Sequence, residues 1–373
     1  MDKPLLRWGI LGCANIARKN WKAIWNSSNG RITAVASRDL DRSRQFIQEC
    51  QAEAPFEPAP RAVGSYEELL AAEDVDAVYV PLPTGVRATW VIRAAAAGKH
   101  VVCEKPCAVS VAELDAMLDA CRHNHVRFMD GVMFMHSRRL QRIREVLEDG
   151  KTVGPVRRIT SAFTFRGPEE FFLSNIRARS ETEPLGCLGD LGWYCIRFAL
   201  WTLDWKLPQR VVGHVLSQFQ HQGSQLPVPT EFSAELFFDN GVSSSFFCSF
   251  VTEIEQWAIV SGTHGHLRVP DLVLPFSGDE IVFETGNPVF NVRGCDFEMQ
   301  PHHRRWVVKE HSHSDPTAQE SRLFHHFADQ IQSGEVSTSW AEIASKTQRV
   351  MMACYESSLG DGQPVSIAES PLP

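Results

Sequence analysis

Lys105 is the residue whose type and setting most directly suggest chemistry. It stands in Glu104-Lys105-Pro106, at the end of the apolar run Lys99-His100-Val101-Val102-Cys103. Where a strand of a nucleotide-binding sheet opens onto its crevice, a lysine can reach both a bound cofactor and a substrate hydroxyl. Pro106 stops the chain continuing as a helix, and Glu104 is a neighbour able to orient an ammonium group; Glu104 and Lys105 are both expected against the cofactor. A second constellation is Gly189-Asp190-Leu191-Gly192-Trp193-Tyr194. Spaced i, i+4, Asp190 and Tyr194 share one face of a helix. Each also has an ordinary alternative. Asp190 would be favourable as an N-terminal helix residue, and Tyr194 as a buried aromatic with a satisfied hydroxyl. Arg197, one turn on, reads as a salt-bridge or packing residue.

These groups need a sheet to hold them, and the first part of the chain supplies the pattern of one. Short apolar runs alternate with amphipathic ones, as in βαβ units on a parallel sheet. Expected strands are Leu5–Leu11, Ile32–Ser37, Ala77–Pro81, His100–Glu104 and Arg127–Asp130. Expected helices are Ile16–Trp25, Asp41–Glu49, Tyr66–Ala72, Arg87–Ala97 and Val111–His123, with Gln51–Val63 as a loop. The turn Gly12-x-Ala14-x-x-Ala17 follows the first strand and opens the first helix, a variant of the dinucleotide fingerprint. Gly12 makes the tight turn, Ala14 is small enough for close backbone approach to a pyrophosphate, and Ala17 permits helix-to-strand packing. Asn15 and Ile16 lie where the helix N-terminus would face that anion. The second strand ends Ser37-Arg38, with Arg42 a helical turn further. The strand end itself carries no acid for a ribose 2′-hydroxyl; a hydroxyl and a guanidinium suit a 2′-phosphate, so NADP is expected over NAD, the alternative for Arg38 being a solvated surface charge paired with Asp39 or Asp41. Pro81-Leu82-Pro83-Thr84 is expected to line the crevice near the ribose.

Beyond Met135 the texture changes. His136–Asp149 and Asp190–Leu203 read as helices. Most segments from Val156 to Leu274 alternate at period two, with Asp239-Asn240-Gly241 as a hairpin turn, which predicts a mostly antiparallel sheet. Ser277–Asp315 admits no assignment, and two helices are expected near Thr317–Ser333 and Trp340–Ser358. The formal charge of −8 and pI near 6.0 argue against nucleic acid or an anionic membrane as partner. With no long apolar stretch and no room for an export signal before the first strand, a cytoplasmic protein is expected. The ten cysteines read as reduced core thiols. His302-His303, His311-x-His313 and His325-His326 read as loop or surface residues, and no metal is expected.

Together, Gly12-x-Ala14-x-x-Ala17, Ser37-Arg38, Pro83-Thr84, the run Gly98 to Pro106, and Gly189-Asp190-x-Gly192-x-Tyr194 resemble the Gfo/Idh/MocA family of NAD(P)-dependent oxidoreductases. The resemblance spans about residues 5–270. It implies an α/β N-terminal Rossmann domain plus an α+β C-terminal domain with an open, largely antiparallel sheet. The division expected is 1–131 for NADP binding and 132–373 for substrate binding and oligomerisation. It further implies a homodimer or homotetramer formed through that sheet. By position, Lys105 matches the family's catalytic lysine. Asp190 and Tyr194 match the pair of the glucose–fructose oxidoreductase and dihydrodiol dehydrogenase branches. Two residues depart from the usual pattern: Arg87 stands where a histidine often follows the proline loop, and Asp130 where a glutamate often follows the last strand.

The reading that results is hydride transfer between nicotinamide and a sugar, polyol or dihydrodiol hydroxyl bound by Lys105, Asp190, Tyr194 and Arg177. The Lys105 ammonium is expected to lower the Tyr194 phenol from its ordinary value of about 10, so that Tyr194 takes the hydroxyl proton. The rival reading is a non-catalytic NADP-binding sensor on the same fold.

Overall fold

In the computed structural model, residues 4–334 and 339–367 are described; Met1–Lys3, part of the segment read for an export signal, lie outside them. Six parallel strands come first: β1 (Leu6–Leu11), β2 (Gly30–Ala36), β3 (Arg61–Val63), β4 (Ala77–Val80), β5 (His100–Cys103) and β6 (Phe128–Asp130). They lie in the order β3-β2-β1-β4-β5-β6. Helices α1 (Asn15–Asn26), α2 (Leu40–Glu53), α3 (Tyr66–Leu70), α4 (Thr84–Ala96) and α5 (Val111–His123) connect them. The central strands β4 and β5 are buried almost throughout, as a parallel sheet covered on both faces requires. The order reverses between β1 and β4, and that switch point opens a crevice at the strands' C-terminal ends.

The loop expected at Gln51–Val63 is shorter than the sequence suggests. Helix α2 runs on to Glu53, and Arg61–Val63 is the edge strand β3, paired on one side with β2. The three prolines between them confine the irregular backbone to the connection.

Helix α6 (Arg138–Glu148) leads into a nine-stranded sheet built from β7 (Val156–Thr164), β8 (Arg210–Phe219), β9 (Val228–Phe237), β10 (Ser243–Ser249), β11 (Ala258–Gly262), β12 (His266–Val269), β13 (Glu280–Gly286), β16 (His303–Lys309) and β17 (Val365–Ser366). Every pair is antiparallel except β7 with β10. Asn240 at φ 58° turns β9 into β10, as the Asp-Asn-Gly signal predicts. The unassigned stretch Ser277–Asp315 is a hairpin on a hairpin. Strands β13 and β16 pair in the main sheet, and β14 (Val289–Arg293) with β15 (Asp296–Gln300) pairs beyond them. Strands β14 and β15 escaped notice because they are exposed almost throughout, which removes the alternation that marks a half-buried strand.

Short helix α7 (Glu169–Ser174) and helix α8 (Trp193–Thr202) interrupt the sheet. Helices α9 (Gln319–Ser333) and α10 (Ser339–Leu359) return to the first half. Phe324 and Phe327 of α9 pack on Trp8 of β1, so a C-terminal helix completes the Rossmann core. No helix among the described residues is long and apolar enough to cross a membrane.

Candidate active site

The fingerprint turn is built as its spacing requires. Gly12 has φ +106°, and a Cβ there would meet Leu82 Cδ2 at 3.0 Å. Side chains rarely adopt that conformation. Ala14 caps α1 with no side-chain hydrogen bond to the first turn, so its backbone N–H groups stay open to an anion. Asn15 and Ile16 are exposed at the same end, Ser37 is buried, and Arg38 and Arg42 stand exposed beside it. Arg42 also reaches the Cys13 carbonyl at 3.4 Å. All of these line one crevice of about 1440 Å³, together with Pro81, Leu82, Pro83, Glu104, Lys105, Arg177, Asp190 and Tyr194. That exceeds the ~300–1,000 Å³ of an ordinary small-ligand cleft. Thr84 is fully buried behind its rim, where its N–H and hydroxyl donate to Glu183 at 3.1 and 2.6 Å.

At the inner end of the crevice, Lys105 Nζ donates to Asp190 Oδ1 at 2.6 Å and to the Asp190 carbonyl at 2.7 Å. It stands 4.7 Å from the centroid of the Tyr194 ring. Arg177 Nε holds the other carboxylate oxygen at 2.9 Å. The side chains of Lys105 and Asp190 are 9% and 14% exposed, that of Arg177 40%, so the charges are sheltered but reachable. Asp190 lies in a single wide turn, Leu188–Gly192, with i→i+5 geometry, that runs into α8. Such turns recur at functional sites. Burial alone would raise the Asp190 carboxyl, yet the Arg177 and Lys105 cations hold it well below the usual carboxylate range. Burial would lower Lys105, but Asp190 and Tyr194 bring it above its ordinary value.

Tyr194 corrects the expectation drawn from charge alone. The Lys105 ammonium does pull its phenol down, but burial outweighs that pull and pushes it up to about 12. Phe163 and Phe134 wall the ring at 5.6 and 6.0 Å between centroids, which explains the desolvation.

The two departures from the family pattern have structural roles. Arg87 is buried in α4 and donates to the Leu82 carbonyl through Nε at 2.9 Å and to the Pro106 carbonyl, tying the two crevice loops together. Asp130 and Arg197 form an ion pair with no exposure on either side chain, with Trp193 Nε1 donating to Asp130 at 3.3 Å. Arg197 is thus the salt-bridge residue its position suggests. Of the histidine pairs, His326 packs on buried His136 at 3.0 Å between Nδ1 atoms, and His325 meets Asp329 and the Ser27 carbonyl. Among the described residues, no group of three His, Cys, Asp or Glu side chains is placed to hold a metal.

Among the crevice residues that escaped the sequence reading are Asn20, Tyr79 and Glu183. Asn20 and Tyr79 sit on the buried faces of α1 and β4, where a polar side chain amid apolar ones is itself a signal. Glu183 lies in an irregular segment without periodicity and could be found only in three dimensions.

A six-stranded parallel sheet with its crevice at the switch point, an anion-ready helix end and a lysine–aspartate–tyrosine cluster is the architecture of a dinucleotide-dependent oxidoreductase. Residues 6–132 match the oxidoreductase family with an NAD-binding Rossmann fold, and residues 140–268 match the Gfo/Idh/MocA C-terminal domain. The chain belongs to the Gfo/Idh/MocA family. It is 31% identical over 355 residues to D-xylose 1-dehydrogenase (NADP(+)) 2 of Haloferax volcanii, covering 94% of this chain and 97% of that one. It is 32% identical over 275 residues to trans-1,2-dihydrobenzene-1,2-diol dehydrogenase of Mus musculus, covering 72% and 76%. Among solved structures, KijD10, a 3-ketoreductase from Actinomadura kijaniata crystallised with NADP and TDP-benzene, superimposes with a TM-score of 0.78. It is 26% identical, covering 95% of this chain and 98% of that one.

Proposed function

We propose that this protein is an NADP-dependent oxidoreductase acting on a secondary or anomeric hydroxyl of a sugar or polyol, or on the matching carbonyl. The observation that carries the reading is the convergence of Lys105, Asp190 and Tyr194 at the inner end of a crevice that begins at the Gly12 turn. The residues present fit the cofactor. Gly12, Ala14, Asn15 and Ile16 would take the pyrophosphate, Ser37, Arg38 and Arg42 the 2′-phosphate, and Pro81, Leu82 and Pro83 the ribose side, with Thr84 supporting that loop. The NADP in the name of the Haloferax relative and in the KijD10 crystal supports that choice. Bound there, the nicotinamide supplies or accepts the hydride.

The protein's own groups handle the oxygen and its proton. Lys105 would hydrogen-bond the substrate oxygen and stabilise its developing charge. Asp190 anchors Lys105, and Arg177 anchors Asp190; the remaining N–H groups of Arg177, on the crevice wall, would be offered to the substrate. Tyr194, held protonated by burial, is equipped to donate a proton to a carbonyl oxygen; in the reverse direction it would accept one. That acid–base cluster favours an enzyme over a cofactor-binding sensor. Substitution tests both readings: Lys105→Met and Tyr194→Phe should each lower turnover by roughly 10²–10⁴-fold on a panel of sugars and polyols, with NADPH still binding. Full activity in either variant would overturn the assigned roles. A wild type that binds NADPH but turns over nothing would favour the sensor.

A further inference from the structure

The crevice contains a second carboxylate whose surroundings differ from those of Asp190. Two cations face Asp190, at 2.6 and 2.9 Å. Glu104, 9% exposed, meets only neutral donors. Its Oε1 accepts the Tyr79 hydroxyl at 2.6 Å and Asn20 Nδ2 at 3.4 Å, and its Oε2 accepts the Lys105 backbone N–H at 3.3 Å. Asn20 also donates to Tyr79 Oη at 2.6 Å, so the acid is locked in place by a closed network. Among the described residues no ion pair to Glu104 forms. A charge withdrawn from water with hydrogen bonds but no counter-ion strongly favours a cation brought beside it. Glu104 lines the same crevice as Lys105, Gly131 and Tyr194. At Gly131 an added Cβ would lie 3.1 Å from Glu104 Oε1, so that wall is bare backbone.

Resting on the dinucleotide reading above, we propose that Glu104 is the counter-charge of the oxidised nicotinamide ring. It stabilises NADP⁺, whose ring is cationic, relative to NADPH, whose ring is neutral, and so biases the bound pair toward carbonyl reduction. In that direction the carbonyl carbon takes the hydride with its electron pair, and the oxygen takes the Tyr194 proton, which solvent restores. The ring left behind carries the positive charge that Glu104 faces.

The test is a set of dissociation constants rather than a rate. NADP⁺ and NADPH are titrated separately, by calorimetry and by NADPH fluorescence, into wild type, Glu104→Gln and Tyr79→Phe. Gln keeps an acceptor for Tyr79 and Asn20 but removes the charge; Phe removes a donor but leaves the charge. Wild type is expected to bind NADP⁺ at least as tightly as NADPH. In Glu104→Gln the affinity ratio should move at least about tenfold toward NADPH, as expected for loss of a unit charge a few ångströms away. Tyr79→Phe should leave the ratio near that of wild type. An unchanged ratio in Glu104→Gln, an equal shift in Tyr79→Phe, or a wild type that binds NADPH much the more tightly overturns the proposal. Should Glu104→Gln not fold, the wild-type ratio still decides. A wild type that binds neither form removes the dinucleotide reading itself, and this inference with it.

Discussion

Lys105 and Asp190 are joined twice, through the carboxylate at 2.6 Å and the backbone carbonyl at 2.7 Å. A strand end of the parallel sheet is thereby fixed to the wide turn before α8. The lysine is aimed by the second half of the molecule, not by its own loop. Asp190→Asn should therefore weaken the anchor without emptying the cofactor crevice. Turnover is expected to fall roughly 10- to 100-fold, the lower range of positioned acid–base effects, with NADPH affinity retained. Steady-state kinetics beside a binding titration checks this; an unchanged kcat would mean that the anchor is structural only.

Tyr194 gives a pH prediction with a definite sign. Its folded value of about 12 lies above the ordinary tyrosine value of about 10. The buried phenol therefore contributes stability that is fully present below about pH 10 and is lost as pH rises through about 12. Urea midpoints taken at increasing alkaline pH should fall more steeply in wild type than in Tyr194→Phe. Parallel curves would show that the ring is less desolvated than its aromatic walls imply.

Arg38 and Arg42 are exposed at the end of the crevice proposed to hold the adenosine 2′-phosphate and belong to no ion pair among the described residues. Replacing both with alanine should weaken NADP⁺ about 10- to 100-fold, the order of one or two charged hydrogen bonds, while leaving NAD⁺ nearly untouched. The wild-type preference should also shrink with added salt, because exposed charges are screened. Equal losses for both cofactors would place the 2′-phosphate elsewhere.

Asp130 and Arg197 are a stability device. Both are fully buried, and Arg197 Nε also donates to Thr347 at 2.8 Å, linking β6, α8 and α10. Arg197→Met leaves Asp130 charged with little compensation, at a cost of about 3–5 kcal/mol. Chemical denaturation should show it. A loss under about 1 kcal/mol would mean that water or a neighbour takes over.

The alternation of apolar runs, the Gly12 turn and the Glu104-Lys105-Pro106 strand end were legible because they are local. A parallel strand buried on both faces must be apolar, and a tight turn with positive φ must carry a small residue. Period two likewise announced the second sheet, and the spacing of Asp190 and Tyr194 their common face. Order within the sheets was not legible: the parallel β7–β10 pair joins strands far apart in the chain.

Local chemistry thus determined which groups this protein has to work with: an open helix end, a lysine, an acid and a phenol. Tertiary structure decided their electrical state. Tyr194 is protonated because aromatic walls from separate elements exclude water, against the pull of its lysine neighbour. Asp190 is balanced because Arg177 arrives from an irregular segment with no periodic signature, and Glu104 lacks a counter-ion because Tyr79 and Asn20 surround it instead. Desolvation and charge pairing fall steeply with distance in three dimensions, and distance along the chain carries no record of them.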